Sequence, residues 1–261
     1  MCRLAAYLGQ PVYLEELIAK PAHSLMRQAL RAEEAKTVTN GDGFGIGWYG
    51  ARPEPAVYRE VMPAWSDDNL LSLSQTVASP LFFAHVRAAT AGGIARQNCH
   101  PFRHGRYLFM HNGQIGGYAQ IRRTLETWLP DELYAARRGA TDSELLFLLS
   151  LARMEAGMGI DEAVLSVLDS TMALMRERGI QAPLRFAAVL ADGERFYAFR
   201  CASDGEPPTL YLRRVVGGTV IASEPLCDDD RGWELLPVGA VVSVDAKRCR
   251  VTAHGEVSTV S

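Results

Sequence analysis

The chain has 261 residues, 48% hydrophobic and 22% charged, with a formal net charge of −3 at pH 7. That is enough apolar material for one large domain or two small ones, and it lacks the basic excess that a nucleic acid or an anionic membrane surface would demand. Five widely spaced cysteines (Cys2, Cys99, Cys201, Cys227 and Cys249) form no C-x-x-C pair, which argues against a disulfide framework or zinc site and for a reducing, cytoplasmic home.

In chain order, Leu4 to Leu8 reads as a short buried strand closed by Gly9 and Pro11, too short for a secretory signal. No window approaches the ~18 apolar residues of a membrane span. Amphipathic pieces follow at Leu14 to Ala19 and Ser24 to Glu33. From Asn40 to Tyr49, Gly43, Gly45 and Gly47 alternate with Phe44, Ile46 and Trp48. This period of two predicts a strand with one apolar face and one bare face that a ligand or another backbone can approach closely. A dinucleotide-binding loop is the alternative, but its glycines would open a helix rather than lie within a strand.

Ser66 to Ala78 is expected to be a capped helix, Leu81 to Arg87 a strand covered on both faces, and Tyr107 to Met110 a short strand ending in His111-Asn112-Gly113. A helix follows at Tyr118 to Leu129. Thr141-Asp-Ser-Glu144 has the form of a capping box and opens a long apolar helix. Asp161 to Arg178 forms a second, packed against it as a hairpin. After Pro183 the pattern turns to strands: Leu184 to Ala191, Arg195 to Arg200, Thr209 to Arg213, Thr219 to Ser223, Ala240 to Asp245 and Arg248 to Ala253. Strands at both ends with helices between, and no linker or repeat, predict one α+β domain over 1–261.

The candidate chemistry begins at the second residue. If Met1 is trimmed, Cys2 carries a thiol and a free α-amine, a nucleophile and a base in one residue, with ordinary pKa values near ~8.5 and ~8. Taken alone, Cys2 is as readily a small residue opening a strand. Arg87 ends a buried strand, where it serves a structural ion pair or grips a carboxylate. Asn112-Gly113 is either a turn or a two-donor oxyanion hole. Asp142, in a first helical turn, either answers the helix dipole or holds an ammonium group. Cys99, His100, His104 and His111 lie close in sequence, but their spacing matches no zinc pattern.

Together the chain shows Met1-Cys2-Arg3, Asn40-Gly-Asp-Gly-Phe-Gly, His85-Val-Arg-Ala-Ala-Thr90, His100-Pro-Phe102, His111-Asn-Gly113 and Thr141-Asp-Ser-Glu144, in that order. This resembles the class II glutamine amidotransferases of the N-terminal nucleophile hydrolases. Ala222-Ser-Glu-Pro225 with Asp228-Asp-Asp230 and Trp233 resembles the closing segment of their free-standing branch, which includes the ergothioneine-pathway hydrolases. The resemblance implies a four-layer αββα sandwich. It also implies a Cys2 nucleophile acting on a γ-glutamyl amide through a thioester, and an oxyanion hole from Asn112 and Gly113. Arg87 would bind the substrate carboxylate and Asp142 its ammonium group, with Thr90 and His100 as further pocket positions. No cofactor or metal is implied.

The implied partner is glutamine or another γ-glutamyl small molecule, with a separate synthase subunit as a conceivable acceptor of ammonia. Familiar members carry a second, ammonia-using domain, and none fits within this length. Three alternatives stay open: a dedicated hydrolase of γ-glutamyl conjugates in thiol biosynthesis, a non-catalytic glutamine-binding or regulatory module, and a metal-dependent hydrolase.

Overall fold

The computed structural model describes residues 2–34, 39–89, 93–227 and 231–253. They form thirteen strands and seven helices. The first part runs β1 (Arg3–Tyr13), α1 (Glu15–Ile18), α2 (Leu25–Leu30), β2 (Phe44–Trp48), β3 (Ala56–Glu60), α3 (Asp68–Thr76), β4 (Ala78–Val86), β5 (Phe102–His104) and β6 (Tyr107–Ile115). Helices α4 (Tyr118–Glu126), α5 (Asp131–Ala136), α6 (Asp142–Glu155) and α7 (Ile160–Glu177) follow. The chain then returns to strands: β7 (Leu184–Ala191), β8 (Arg195–Ala202), β9 (Tyr211–Val215), β10 (Gly218–Ala222), β11 (Trp233–Leu235), β12 (Ala240–Asp245) and β13 (Cys249–Ala253).

The strands make two antiparallel sheets. One has the order β11-β9-β10-β1-β4-β2-β3 and the other β13-β12-β8-β7-β6-β5. Because side chains alternate across a strand, each sheet offers two faces to bury. In β1, Leu4, Ala6 and Leu8 face the second sheet, where they meet Met110, Val189 and Ala198. Ala5 and Tyr7 face outward onto Leu17 of α1, Ala29 of α2 and Leu70 of α3. On the far side, Phe109, Phe186 and Phe199 carry the apolar stripes of α4 to α7. Three apolar layers between four layers of structure give the αββα sandwich.

Local differences from the sequence expectations have clear causes. Strand β1 does not stop at Gly9 and Pro11. It continues to Tyr13 through a register irregularity between Leu8 and Val12, where the extra residues are absorbed as a bulge. Asn112-Gly113 is not a turn: β6 runs through it to Ile115, pairing along its length with β7. The capping box at α6 is half made. Thr141 Oγ1 accepts from Glu144 N at 3.2 Å, but the Glu144 carboxylate reaches away to Arg138 N and Gly139 N. The short elements β3, β5, β11 and α5 carry too little periodicity to announce themselves.

The glycine-rich strand β2 behaves as its bare face predicts. Phe44 and Ile46 are buried under the outer helices. The glycine face lies against another backbone: a Cβ on Gly45 would sit 2.1 Å from the His100 carbonyl oxygen, and one on Gly47 would sit 2.8 Å from Pro101 Cγ. The glycines thereby let the 100–101 segment press onto the sheet.

Candidate active site

Strands β1 and β4 pair with Arg3 opposite Val86. One residue beyond that pair, Cys2 and Arg87 emerge on adjacent strands. Cys2 Sγ lies 3.4 Å from both the carbonyl oxygen and the amide nitrogen of Ala88, so the thiol donates to one and accepts from the other. Burial raises the Cys2 thiol above its ordinary value, while the Ala88 N–H and the positive charges of Arg87 and Arg3 oppose that rise. The segment that carries these contacts is held by the Asn40-Gly-Asp-Gly turn. Arg87 N donates to Gly43 O at 2.8 Å, Asp42 N to Arg87 O at 3.0 Å, and Ala89 N to Asp42 Oδ2 at 2.8 Å.

Two residues before Arg87, and so on the same face of β4, His85 reaches across to the second sheet. Its Nε2 is 3.2 Å from Asn112 Oδ1. An amide oxygen only accepts, so Nε2 carries the hydrogen. Burial holds His85 as a neutral ring, with its pKa lowered to about 3. This bond fixes which end of the Asn112 amide faces His85. The other end, Nδ2, is buried without a hydrogen-bond partner among the described residues. Buried polar groups are overwhelmingly partnered, and an orphan costs on the order of 1–3 kcal/mol.

Gly113 adopts φ 142, and a Cβ there would lie 1.9 Å from the Arg185 carbonyl oxygen. Only glycine fits at this point of β6. His100 stacks on His85 with ring centroids 4.3 Å apart and meets Phe102 edge-on at 4.6 Å. Neither of its ring nitrogens has a partner among the described residues. Burial, with the nearby His85, His111 and Arg87, keeps it neutral.

Asp142 sits at the start of α6, with Oδ2 accepting from Ile115 N at 2.8 Å and Oδ1 from Ser143 N at 2.9 Å. These bonds tie it to the end of β6, two residues past Gly113, and leave lone pairs on each oxygen. His111 is held between Ser143 Oγ at 2.9 Å and Arg185 O at 3.3 Å. The carbonyl can only accept, so Nε2 donates to it and Ser143 donates to Nδ1.

Of the sequence-derived residues, Cys2 and Arg87 flank the paired ends of β1 and β4, Asn112 and Gly113 lie within β6 and Asp142 opens α6, while His100 stacks on His85, which bonds Asn112. Thr90 and the Asp228-Asp-Asp230 motif lie outside the described residues. Among the described residues no three His, Cys, Asp or Glu side chains are grouped to hold a metal ion, and no two cysteines are joined in a disulfide.

Two features escaped the sequence. His85 stands in the His-Val-Arg run with no role of its own in the sequence, although its period-two spacing from Arg87 puts both on one face. The second is a buried ion pair, Arg3 Nη1 to Glu224 Oε1 at 2.8 Å. Glu224 also accepts from Glu33 N and Glu34 N, at 3.1 and 2.9 Å. Its neighbour Ser223 clamps Leu4 through N–H, hydroxyl and backbone contacts. The Ala222-Ser-Glu-Pro225 motif therefore anchors the residues that follow Cys2.

Comparison with known proteins shows the family. Residues 16–216 match the family described as glutamine amidotransferases class-II. The chain is 30% identical over 246 residues to the gamma-glutamyl-hercynylcysteine sulfoxide hydrolase of Mycolicibacterium smegmatis, covering 94% of this chain and 96% of that protein. It is 29% identical to the probable glutamine amidotransferase DUG3 of Saccharomyces cerevisiae, covering 94% of this chain and 82% of that one. Among solved structures, a glutamine aminotransferase class-II domain protein from Silicibacter pomeroyi superposes with a TM-score of 0.77 at 35% identity, covering 97% of this chain and all of that one. The glutamine phosphoribosylpyrophosphate amidotransferase of B. subtilis shares the fold at 14% identity, with a TM-score of 0.66 and half of its chain covered. The chain belongs to the class II glutamine amidotransferases, enzymes that hydrolyse the γ-amide of glutamine or a γ-glutamyl compound.

Proposed function

We propose that the described chain works as one amidohydrolase domain in which Cys2, freed by removal of Met1, attacks the γ-glutamyl carbonyl. Its α-amine takes the thiol proton, and the C–S bond forms as the carbonyl electrons move onto oxygen. The oxyanion is received by Asn112 Nδ2–H and the Gly113 backbone N–H. Collapse breaks the C–N bond, with the amine's proton passing to the leaving nitrogen. Water then attacks the thioester, gives a proton back through the amine, and releases glutamate and the Cys2 thiol. Arg87 grips the substrate α-carboxylate and Asp142 its α-ammonium, so the glutamyl head is read at both charges. His100, neutral and buried beside His85, packs the wall of the pocket.

The observation that carries this reading is the Asn112 amide. His85 takes its oxygen and leaves a buried N–H donor, unpartnered among the described residues, at the same end of the sandwich as Cys2. An oxyanion-hole donor has to be preorganised in this way, fixed before the charge develops and lacking a competing partner.

When glutamine is the substrate, the nitrogen leaves as ammonia, for water or for a separate synthase subunit. When the substrate is a γ-glutamyl conjugate, it leaves as an amine. Similarity over nearly the whole length of the mycobacterial hydrolase supports the second as a full alternative. Comparing kcat/KM for glutamine with that for γ-glutamyl thioethers separates them. The free thiols fit a reducing compartment such as the cytoplasm, and no described helix is long and apolar enough to cross a membrane.

Intact-mass spectrometry before and after treatment with a glutamine-mimicking diazoketone tests the mechanism. Loss of one Met followed by a single adduct on Cys2 is the expected result. A retained Met1, or a free Cys2 that stays unlabelled, overturns it in favour of a non-catalytic binding module.

A further inference from the structure

A second cavity, of about 460 Å³, lies at the lateral edge of the sandwich, bounded by the edge strands β3 and β5 and the first turns of α6. Its lining shares no residue with the proposed glutamyl pocket. Three arginines line it: Arg59 from β3, Arg103 from β5 and Arg138 from the loop after α5. None of the three makes an ion pair among the described residues. Arg59 Nη1 donates to Cys99 O and Arg103 Nη1 to Pro55 O, each at 3.1 Å. The Arg138 guanidinium has no hydrogen-bond partner among the described residues.

One carboxylate, Glu144, also lines the cavity. It is already engaged, accepting from Arg138 N at 3.0 Å and Gly139 N at 2.6 Å. These main-chain bonds orient its oxygens toward the loop, away from a fork-to-fork pairing with any of the guanidiniums. Three guanidiniums against one carboxylate leave the cavity lining with an excess of positive charge. Burial holds the Arg59 guanidinium below its ordinary value; Cys99 and Glu144 oppose that, and the smaller repulsions of Arg138 and Arg103 add to it. Buried Phe102 and Phe147 supply an apolar wall. Arg59 is half-buried, and Arg103 and Arg138 are exposed to solvent. Here they converge on one concave, metabolite-sized space, where fixed charge of one sign raises the local concentration of its counter-ion.

We infer that this cavity is a second binding site, for a small anion bearing two or more negative charges on carboxylate or phosphate oxygens, with Arg59, Arg103 and Arg138 as its donors. Planar guanidiniums suit both oxygen geometries, and the aromatic wall accommodates a short carbon skeleton. The site is distinct from the binding of the singly charged glutamyl carboxylate proposed at Arg87.

Isothermal titration of the full chain with inorganic phosphate and, separately, with citrate tests the assignment, each against chloride at matched ionic strength. Two double variants are compared with wild type: Arg103→Gln/Arg138→Gln, and Arg122→Gln/Arg123→Gln, which removes the same charge from the exposed face of α4. Arg59 is left intact because it braces the Cys99 carbonyl beside His100. The expected result is binding of at least one anion to wild type, weakened about tenfold or more in the first variant and unchanged in the second. Should the first variant melt below wild type without anion, Arg138→Gln alone takes its place. A response to phosphate alone identifies a phosphorylated ligand, and one to citrate alone a polycarboxylate. Anions that bind wild type no better than chloride, or that bind the cavity variant as tightly as wild type, overturn the site.

Discussion

Past the first turn of α6, where α6 and α7 cover the second sheet, the buried groups are mostly Leu, Val, Met and Phe, and the buried hydroxyls of Ser150 and Thr171 are spent locally. Ser150 donates to Leu146 O and Thr171 to Val167 O, at 2.8 and 2.7 Å. At the Cys2 end of the contact between the sheets, the buried groups include His85, His100 and Asn112. Here Nδ1 of His85, both nitrogens of His100 and Nδ2 of Asn112 are left without partners among the described residues. The first region is built for stability alone. The second gives up stability to keep donors and acceptors ready, which is the trade expected where a ligand is to supply the missing partner.

The comparison breaks most visibly at Cys2. Cys2→Ala is expected to lower turnover by on the order of 10⁴-fold or more while moving the melting temperature little, since Cys2 is only half-buried. Steady-state kinetics beside calorimetry checks this, and an active variant removes Cys2 from the mechanism. Asn112→Ala comes next, with a fall of roughly 10²–10³ in kcat and a small change in KM. Because the substitution also deletes an orphaned amide, its stability cost should be smaller than that of truncating a leucine in α6, about 2–5 kcal/mol.

Glu224→Gln tests the anchor rather than the donors. Leaving Arg3 charged and buried without its counter-ion should cost about 3–5 kcal/mol, which Arg3→Met in the same chain partly restores. If the pair also positions Cys2, kcat falls by up to ~10²-fold at unchanged KM, and Glu224→Asp recovers part of it. A loss of stability with kcat intact would make the pair purely structural.

The smallest effect is in pH. His85, His100 and His111 are all held below their ordinary values by burial. The unfolded chain therefore binds protons that the folded one refuses. Stability is complete above the unfolded value near ~6.5 and declines as pH falls, for His85 down toward about 3. Each such histidine contributes at most ~1.4 kcal/mol per pH unit within its window. His85→Gln should shallow this acid slope by one proton in urea titrations across pH 6.5 to 4. It should also retain more activity than His85→Leu, because the glutamine amide can still donate to Asn112. An unaltered slope would mean that His85 is protonated in the folded state.

Residue order alone determined much here, because the informative signals are local. The apolar run from Leu4 to Leu8 specified a strand, and the alternation in Phe44 to Trp48 specified a strand and its faces. Helical periodicity in 142–177 specified the outer layer, and the spaced motifs from Cys2 to Asp142 specified the family and the residues to examine. Short edge strands such as β3 and β5 stayed hidden, since three to five residues cannot establish a period. The continuation of β6 through Asn112-Gly113 was hidden too, because its partner β7 lies more than seventy residues away and pairing overrides turn propensity.

Only the tertiary structure decided which side chains share an environment. That His85 should turn the Asn112 amide, that Glu224 should hold Arg3, and that Arg59, Arg103 and Arg138 should surround one cavity are consequences of packing between segments far apart in the chain. Hydrogen bonds, desolvation and charge repulsion act over a few ångströms, and those distances do not exist until the two sheets close on each other.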